Sequence, residues 1–191
     1  FAAESHVDRS IANPKPFVDT NIFGTYSILE AVRKHDKLFV HISTDEVYGD
    51  AENLPSFTEN SQINPSNPYS ATKAAADHLV ASYNRTYGIN CITTRCSNNF
   101  GPNQFPEKLI PKTIIRTIKN LKIPIYGDGN QIRSWIYVND HVTAIESLIQ
   151  KGKPGNVYNI TSYEEISNKT IVKKILNLMN SSTDMIEFVS D

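Results

Sequence analysis

Tyr69 and Lys73 are the two residues whose types and spacing point most directly to chemistry. They stand one helical turn apart in a segment predicted to be helical, so both side chains share one face. An ammonium group beside a phenol favours the phenolate and lowers the tyrosine pKa from about 10. The pair therefore predicts a base that accepts a proton from a hydroxyl group near neutral pH. On this spacing alone, an ordinary exposed helix pair is the competing interpretation.

Two adjacent acids, Asp45 and Glu46, follow a short apolar segment that is predicted to be a strand. Where their environments separate their pKa values, one carboxyl can donate a proton while the other accepts one. The competing interpretation is a helix-capping box, in which Ser43 pairs with Glu46 three residues later. Against it, the following Val47-Tyr48-Gly49 segment is a poor continuation of a helix.

Other polar residues are candidates for binding. Asn98 and Asn99 follow the next predicted strand, where their amides either bind a ligand or shape a turn. Arg133 carries a planar guanidinium that matches phosphate oxygens, although a surface arginine near a turn would have the same local sequence. The five histidines show no metal-ligand spacing, so we predict no metal site.

The elements that must position these residues follow from hydrophobic periodicity and turn residues. Predicted helices cover residues 17–35, 69–87, 112–119, 140–150 and 168–179, and predicted strands cover residues 38–42, 90–95, 123–126 and 157–160. Residues 49–68 and 102–111 are predicted loops. Because strands alternate with helices, the fold class is α/β with a largely parallel, doubly wound sheet. Ligands of such sheets bind at the carboxyl ends of strands, which here run into residues 43–46 and 97–99.

Composition narrows the class of protein. The chain has 191 residues, 39% apolar and 20% charged, which suits one large domain or one domain with part of a second. The net charge of −1 predicts no strongly basic face and hence no nucleic-acid partner. The sequence has neither the apolar run of about 20 residues that a membrane span requires nor a secretory signal peptide, so we expect no membrane association. It begins without Met, and we expect that this is not the natural start.

The two cysteines, Cys91 and Cys96, lie in the same predicted strand. Their odd spacing puts them on opposite faces, about 16 Å apart in an extended chain. A disulfide needs Cα atoms within about 7 Å of each other. We therefore predict structural thiols in a reducing compartment, which indicates a cytoplasmic protein.

Six segments occur in a fixed order, and their combination is far more specific than any one of them. They are residues 2–10 (AAESHVDRS), 43–49 (STDEVYG), 68–73 (PYSATK), 95–102 (RCSNNFGP), 104–111 (QFPEKLIP) and 126–129 (YGDG). Together they resemble the dTDP-glucose 4,6-dehydratases, a family of extended short-chain dehydrogenases/reductases, over nearly the whole chain.

The resemblance implies a Rossmann-like, doubly wound parallel sheet whose N-terminal βαβ half is missing, with part of a smaller α/β substrate domain. It assigns residues 1–100 to the C-terminal part of an NAD-binding domain. Residues 101–191 become part of a nucleotide-sugar-binding domain, with residues 133–152 packing back on the first domain. The family's Gly-x-x-Gly-x-x-Gly turn, which binds the NAD pyrophosphate, is not in the sequence, so we expect this chain alone to be inactive. The family also implies a homodimer.

The resemblance further implies the dehydration of dTDP-glucose to dTDP-4-keto-6-deoxyglucose, with NAD as cofactor. Tyr69 would deprotonate the sugar 4-hydroxyl as hydride passes from C4 to NAD, and hydride would later return to C6. Glu46 would take the C5 proton, and Asp45 would protonate the departing C6 hydroxyl. Thr44 would hydrogen-bond the sugar oxygen, and Lys73 would hold the nicotinamide ribose as well as tune Tyr69.

Matching positions supply the binding residues that the resemblance implies. For NAD they are Ala2, Ala3, Glu4, Ser5, Thr20, Tyr69, Lys73 and Asn99. For dTDP-glucose they are Ser5, Thr44, Asn98, Lys108, Leu109, Pro124, Ile125, Tyr126, Arg133 and Asn168. Two departures from the family pattern bear on which nucleotide is bound: Ser134 replaces an Asp after the arginine, and Thr161-Ser162-Tyr163 replaces a Gly-Gly stretch.

Related enzymes that act on UDP-sugars as dehydratases, 4-epimerases or decarboxylases share the Tyr-x-x-x-Lys pair and are alternatives. A non-catalytic homologue that binds sugar nucleotides is another. An epimerase needs no adjacent acid and base for elimination, and decarboxylases and GDP-mannose dehydratases typically carry Ser where Asp45 stands. Asp45 beside Glu46 is therefore the discriminating feature.

Overall fold

The structure, a computed structural model, describes residues 1–50 and 56–190, and these residues form two compact units. Unit 1 comprises Phe1–Cys96 and Val142–Ile160. Unit 2 comprises Ser97–His141 and the segment from Thr161 to the end of the described chain. The predicted assignment of residues 1–100 and 101–191 to an NAD-binding and a nucleotide-sugar-binding domain stays a prediction.

Helices and strands alternate along most of the chain. The first half contains α1 Val7–Ala12, α2 Lys15–Phe17, a π-helical turn Val18–Phe23, α3 Gly24–His35, β1 Phe39–Thr44, a 3-10 turn Asp45–Tyr48, α4 Pro68–Tyr87 and β2 Cys91–Cys96. The second half contains β3 Asn98–Phe100, α5 Leu109–Ile118, β4 Ile123–Tyr126, β5 Ile132–Tyr137, α6 Val138–Lys151, β6 Val157–Ile160, β7 Glu165–Ser167, α7 Asn168–Leu178, a 3-10 turn Thr183–Met185 and β8 Ile186–Val189.

The sheet of unit 1 has the strand order β1-β2-β6, and both pairings are parallel. Cys96, at the end of the central strand, pairs with Thr44 of β1 and with Ile160 of β6, so the carboxyl ends of all three strands share one edge. The central strand is buried from Cys91 to Arg95, as expected for a strand that is covered on both faces. The predicted α/β fold with a parallel sheet is confirmed.

The long helix α4 forms because its two ends carry strong local signals. Asn67 accepts a hydrogen bond from the Ser70 N–H while the Ser70 hydroxyl reaches back to the Asn67 backbone, and Pro68 occupies the first helical position. Gly88 ends the helix in the left-handed conformation at φ 67°. One face of α4 packs with α3 and the start of β2 in a core of Leu29, Val80, Tyr83, Ile89 and Cys91. The predicted helix over residues 69–87 is confirmed.

The predicted helix over residues 17–35 is confirmed in its extent but not in its regularity. A π-helical turn separates α2 from α3 and carries the buried residue Asn21. Hydrophobic periodicity does not reveal this turn, because one extra residue in a helical turn changes the apolar pattern only slightly. In the predicted loop over residues 49–68, residues 51–55 lie outside the described chain, and residues 56–67 form no helix or strand.

Unit 2 contains two small sheets. In one, β5 lies between β3, which is parallel to it, and β7, which is antiparallel. In the other, β4 pairs with β8 in parallel. The core of unit 2 is formed by the buried residues Ile123, Ile125, Val172 and Leu176. The strands β3, β5, β7 and β8 were not predicted, because strands of three to six residues without regular apolar alternation leave little signal in the sequence.

One helix of unit 2 begins earlier than predicted. Its predicted start is residue 112, after Pro111, whereas α5 begins at Leu109. Pro111 lies in the first turn, where backbone N–H groups have no intrahelical partner, so the missing donor costs little there.

Among the helices of the described residues, none is long and apolar enough to cross a lipid bilayer. Cys91 and Cys96 are in the reduced thiol form, which agrees with the prediction that no disulfide joins them.

Gly49, in the segment after β1, and Gly88, at the end of α4, both have positive φ, and their comparison tests how tightly the segment after β1 is packed. A Cβ on Gly49, at φ 81°, would lie 2.2 Å from the carbonyl oxygen of Asn64, whereas one on Gly88 would meet nothing within 4 Å. We expect Gly88→Ala to lower the free energy of unfolding by about 1–2 kcal/mol, the cost of left-handed backbone alone. We expect Gly49→Ala to cost about 3 kcal/mol or more, because the overpacking adds to the same strain. Urea denaturation checks both values, and equal losses would contradict the close packing of Asn64 on Gly49.

Candidate active site

The two acids lie on the 3-10 turn that follows directly from β1. Thr44 is extended at the end of the strand, and its hydroxyl oxygen accepts the Glu46 N–H at 3.3 Å. The same hydroxyl donates to the Asp45 carboxylate at 3.3 Å. Thr44 is therefore the residue that caps the turn, and the interpretation in which Ser43 caps a helix is wrong. The capping hydroxyl also orients one of the two acids.

Tyr69 and Lys73 lie on the first two turns of α4, and both are buried, at 8% and 5% exposure. The Lys73 ammonium donates to the carbonyl oxygen of Ile42 in β1 at 2.6 Å. The Tyr69 ring packs edge-on against Phe17, with 6.4 Å between the ring centroids. The two residues thus form a fixed pair against β1, and the interpretation as an exposed helix pair is wrong.

The electrostatics around Tyr69 differ from the prediction. Burial raises the pKa of Tyr69 above its ordinary value, and the negative charge of Glu46 raises it further, while hydrogen bonding with Thr44 opposes the shift. The prediction that Lys73 lowers this pKa is wrong, because the lysine ammonium turns to the Ile42 carbonyl and burial lowers the pKa of Lys73 itself. The effect of Glu46 on the pKa of Tyr69 nevertheless indicates that the phenol lies close to the acid turn, which is the 3-10 turn Asp45–Tyr48.

A buried hydrogen-bond chain, absent from the sequence analysis, supports the N-terminal candidates. The side-chain amide of Asn21 accepts the Glu4 N–H and donates to the Glu4 carbonyl, each at 3.0 Å. The amide also donates to the Thr72 hydroxyl, which in turn donates to the Tyr69 carbonyl at 2.8 Å. The Tyr69 N–H donates to the buried hydroxyl of Ser10 at 3.1 Å. The backbone around Glu4 is thereby tied to the helix that carries the base.

These contacts fit the residues proposed to hold a dinucleotide. Ala2, Ala3 and Ser5 are exposed beside the fixed Glu4 backbone, and Thr20 is half-buried in the π-helical turn. An ammonium group has three donors, of which Lys73 directs one to Ile42, so it can also serve ribose hydroxyls. The sequence signal that would have found Asn21 is weak, because an amide in an apolar helical pattern has many explanations.

The candidate substrate residues of unit 2 are spread over several elements. Lys108 and Leu109 stand at the start of α5, and Asn168 begins α7 with its N–H donated to the Gln131 carbonyl at 3.1 Å. In β4, Ile125 is 2% exposed and belongs to the core, so that any ligand contact there must come from its backbone. Its neighbour Tyr126 is 47% exposed and is available to a ligand.

Asn98 and Asn99 lie in β3. The interpretation in which they only shape a turn is therefore wrong. The Asn99 side chain is oriented by two contacts: its oxygen pairs with Nδ1 of His141 at 2.8 Å, and its nitrogen donates to the Ser97 carbonyl at 3.1 Å. Burial lowers the pKa of His141, so the neutral ring donates from Nδ1 to Asn99. Within the described residues, no group of three or more His, Cys, Asp or Glu side chains is arranged to hold a metal ion.

Arg133 is exposed on β5, and its Nη1 donates to the Ile132 carbonyl at 2.8 Å. The next residue brings together the two departures from the family pattern. The Ser134 hydroxyl lies 2.7 Å from the Thr161 hydroxyl and 3.1 Å from both the hydroxyl and the carbonyl oxygen of Ser162. Ser134, Thr161 and Ser162 therefore form one hydroxyl cluster, which begins at the residue after Arg133.

Comparison with known proteins identifies relatives along the entire chain. The family model for GDP-mannose 4,6 dehydratase matches residues 1–189. The dTDP-glucose 4,6-dehydratase 1 of Escherichia coli K12 is 47% identical over 217 residues, covering 100% of this chain and 60% of the relative. The low-salt glycan biosynthesis protein Agl12 of Haloferax volcanii is 51% identical over 192 residues, covering 100% of this chain and 62% of the relative.

The comparison with solved structures finds the same kind of relative. The crystal structure of the dTDP-glucose 4,6-dehydratase DesIV from Streptomyces venezuelae, with NAD bound, superposes with a TM-score of 0.97 at 40% sequence identity. That superposition covers 100% of this chain and 59% of the other.

The chain spans 60% to 62% of the length of the two curated relatives. The predicted resemblance to the dTDP-glucose 4,6-dehydratases is confirmed by the similarity to the Escherichia coli and Streptomyces venezuelae enzymes. Since the family model matches all but the last two residues, the chain belongs to the GDP-mannose 4,6 dehydratase family.

Proposed function

We propose that the protein is an NAD-dependent dehydratase that converts dTDP-glucose to dTDP-4-keto-6-deoxyglucose. The observation that carries this proposal is that β1 connects the candidate groups: it ends at the turn of Asp45 and Glu46, and its Ile42 carbonyl accepts a hydrogen bond from Lys73, one turn after the buried Tyr69. Elimination of water needs one group to remove a proton and another to protonate the leaving oxygen. Two acids and a phenol supply these groups in one unit of the fold.

NAD is the proposed cofactor, held in unit 1 by Lys73, Tyr69, Thr20 and the segment Ala2–Ser5. Bound NAD supplies the acceptor and donor of hydride, and its oxidised nicotinamide brings a positive charge that favours the phenolate of Tyr69. The buried ammonium of Lys73 adds donors for the ribose hydroxyls, and its contact with the Ile42 carbonyl fixes where those donors point.

The protein's own groups divide the proton transfers. Tyr69 takes the proton of the sugar 4-hydroxyl, while Thr44 holds the same region of the sugar through its hydroxyl. The resulting C4 ketone acidifies the C5 proton, which the Glu46 carboxylate removes. Asp45, in its protonated form, gives a proton to the C6 oxygen, which leaves as water. The hydrogen bond from the Thr44 hydroxyl to the Asp45 carboxyl supports this role, because it fixes the orientation of the Asp45 side chain.

The alternatives explain fewer of the observations. A 4-epimerase uses the tyrosine and lysine but has no step that requires the acid pair. A binding protein without activity gives no reason to bury Lys73 beside Tyr69, since a buried cation is costly. The Escherichia coli and Streptomyces venezuelae relatives, which are named as dTDP-glucose 4,6-dehydratases, support the same proposal.

We also propose a homodimer in the cytoplasm. Cys91 and Cys96 are in the reduced thiol form, which suits a reducing compartment. Tyr26 and Ile28 on α3 are each 47% exposed and offer apolar area for a second copy.

The acid pair should show its division of labour by mutation. We expect Glu46→Gln in the complete enzyme to lower kcat about 100-fold or more, with C4 oxidation still visible as transient NADH absorbance. Asp45→Asn should slow C6 elimination with a milder effect on C4 oxidation, and Tyr69→Phe should abolish C4 oxidation. Rapid-mixing absorbance and product analysis separate the steps. Equal loss of C4 oxidation in all three variants would contradict these roles.

Arg133 should bind the nucleotide phosphates through its guanidinium. Loss of a charged partner costs about 2 kcal/mol or more, so we expect Arg133→Ala to raise KM about 30-fold and to leave kcat within a few-fold. Arg116→Ala is the matched control, because this arginine of unit 2 bonds the Lys122 carbonyl and should leave both constants unchanged. A collapse of kcat at constant KM would count against a phosphate-binding role.

The nucleotide preference can be measured directly. We expect kcat/KM for dTDP-glucose to exceed that for UDP-glucose by about tenfold or more, since one recognised group is worth about 1–3 kcal/mol in discrimination. The hydroxyl cluster around Ser134 stands where this sequence departs from the family pattern, in which an Asp follows the arginine. Ser134→Asp is therefore the variant that tests whether this cluster affects the nucleotide preference. A clear preference of the wild-type enzyme for UDP-glucose would refute the dTDP assignment and favour the UDP-sugar alternative.

A further inference from the structure

A buried ion pair lies behind the acid turn and has no role in the proton transfers. Arg95, in the central strand β2, is 5% exposed, and Asp77, on α4, is 4% exposed. Arg95 Nε donates to Asp77 Oδ2 at 2.9 Å, and the other carboxylate oxygen lies 3.0 Å from Nε2 of His41. Burial raises the pKa of Asp77, but hydrogen bonding to His41 and the charge of Arg95 outweigh it, so the pKa falls below its usual value. The carboxylate is ionised.

The ion pair ends on a tyrosine of the acid turn. Arg95 Nη1 donates to the Tyr48 hydroxyl at 2.9 Å, and that hydroxyl donates to Asn159 Oδ1 in β6 at 2.7 Å. The Tyr48 ring is 2% exposed and stacks on Phe57, with centroids 5.0 Å apart and planes 16° from parallel. Both its ring and its hydroxyl are therefore fixed, and Tyr48 is the last residue of the same 3-10 turn that carries Asp45 and Glu46.

The other end of this network reaches the helix of the base. Asp77 follows Lys73 by one turn and Tyr69 by two turns on α4. The contacts from Asp77 through Arg95 to Tyr48 thus join the helix with the base to the turn with the acids. An ion pair in this setting is weak evidence for stability, because apolar residues of similar volume would often serve as well. Hydrogen bonds with fixed directions instead hold catalytic groups at a constant distance and angle from one another, which catalysis requires.

We propose that Tyr48 is a positioning residue for the Asp45–Glu46 pair and that the Asp77–Arg95 ion pair holds the Tyr48 hydroxyl in place. The inference rests on the proposed function for its catalytic consequence, although the positioning itself does not depend on the substrate. Displacement of a reacting group by about 1 Å costs about 100-fold in rate. A partial loosening of the turn should therefore lower kcat without a matching change in substrate affinity.

Tyr48→Phe in the complete enzyme tests this, because it removes the hydroxyl and keeps the stacked ring. Tyr83→Phe is the matched control: Tyr83 is also buried in unit 1, and its hydroxyl donates to Glu30 at 2.7 Å. We expect Tyr48→Phe to lower kcat about tenfold at unchanged KM, and to speed hydrogen exchange of the Glu46 and Gly49 amides about tenfold. Tyr83→Phe should change neither. Should Tyr48→Phe fail to fold, Asn159→Ala, which removes the acceptor of the same hydroxyl, takes its place with the same expected result.

Two outcomes overturn the proposal: amide exchange in the turn that matches wild type, or kcat that matches wild type while the melting temperature falls. The exchange measurement needs no substrate and so separates this proposal from the function. If the wild-type enzyme does not act on dTDP-glucose, the proposed function fails, and the exchange comparison still decides whether Tyr48 holds the turn.

Discussion

The hydrogen bond from the buried Lys73 ammonium to the Ile42 carbonyl is the contact on which the rest of unit 1 depends. It fastens α4 to β1 at 2.6 Å, two residues before the strand ends at Thr44. Because Tyr69 lies one turn before Lys73 and the acid turn begins right after Thr44, this contact, together with the Asp77–Arg95–Tyr48 network, holds the helix of the phenol against the turn of the two carboxyl groups. A buried ammonium without a partner would be costly, so the contact also makes the arrangement hard to change.

The surroundings of Tyr69 work against its ionisation. Burial and the charge of Glu46 both raise its pKa, and the lysine ammonium is directed at the Ile42 carbonyl. Positive charge next to Tyr69, which the proposed NAD cofactor would bring, would favour the phenolate and oppose this shift. The turn that carries the two acids therefore also affects the phenol, because the negative charge of Glu46 favours the protonated form of Tyr69.

Local signals explain which features could be predicted from the sequence. The helix α4 was predictable because Pro68, three consecutive alanines and Gly88 all mark the same element, and the parallel sheet followed from the alternation of strands and helices. The acid pair and the Tyr69–Lys73 pair were found because their spacing has chemical meaning within four residues. The π-helical turn and the contact of Arg95 with Asp77 were not predictable, since they depend on neighbours that only the folded chain brings together. The sign of the Tyr69 pKa shift was missed for the same reason.

In the proposed reaction, Glu46 removes the C5 proton of a C4-oxidised sugar and Asp45 releases the C6 oxygen. The decisive measurement is conversion of dTDP-glucose by the complete enzyme in deuterated water, followed by NMR of the product. We expect dTDP-4-keto-6-deoxyglucose with solvent deuterium at C5, because the proton held by a carboxyl group exchanges with water before it returns. Recovery of a C4 epimer, or of the keto product with no deuterium at C5, would contradict these roles.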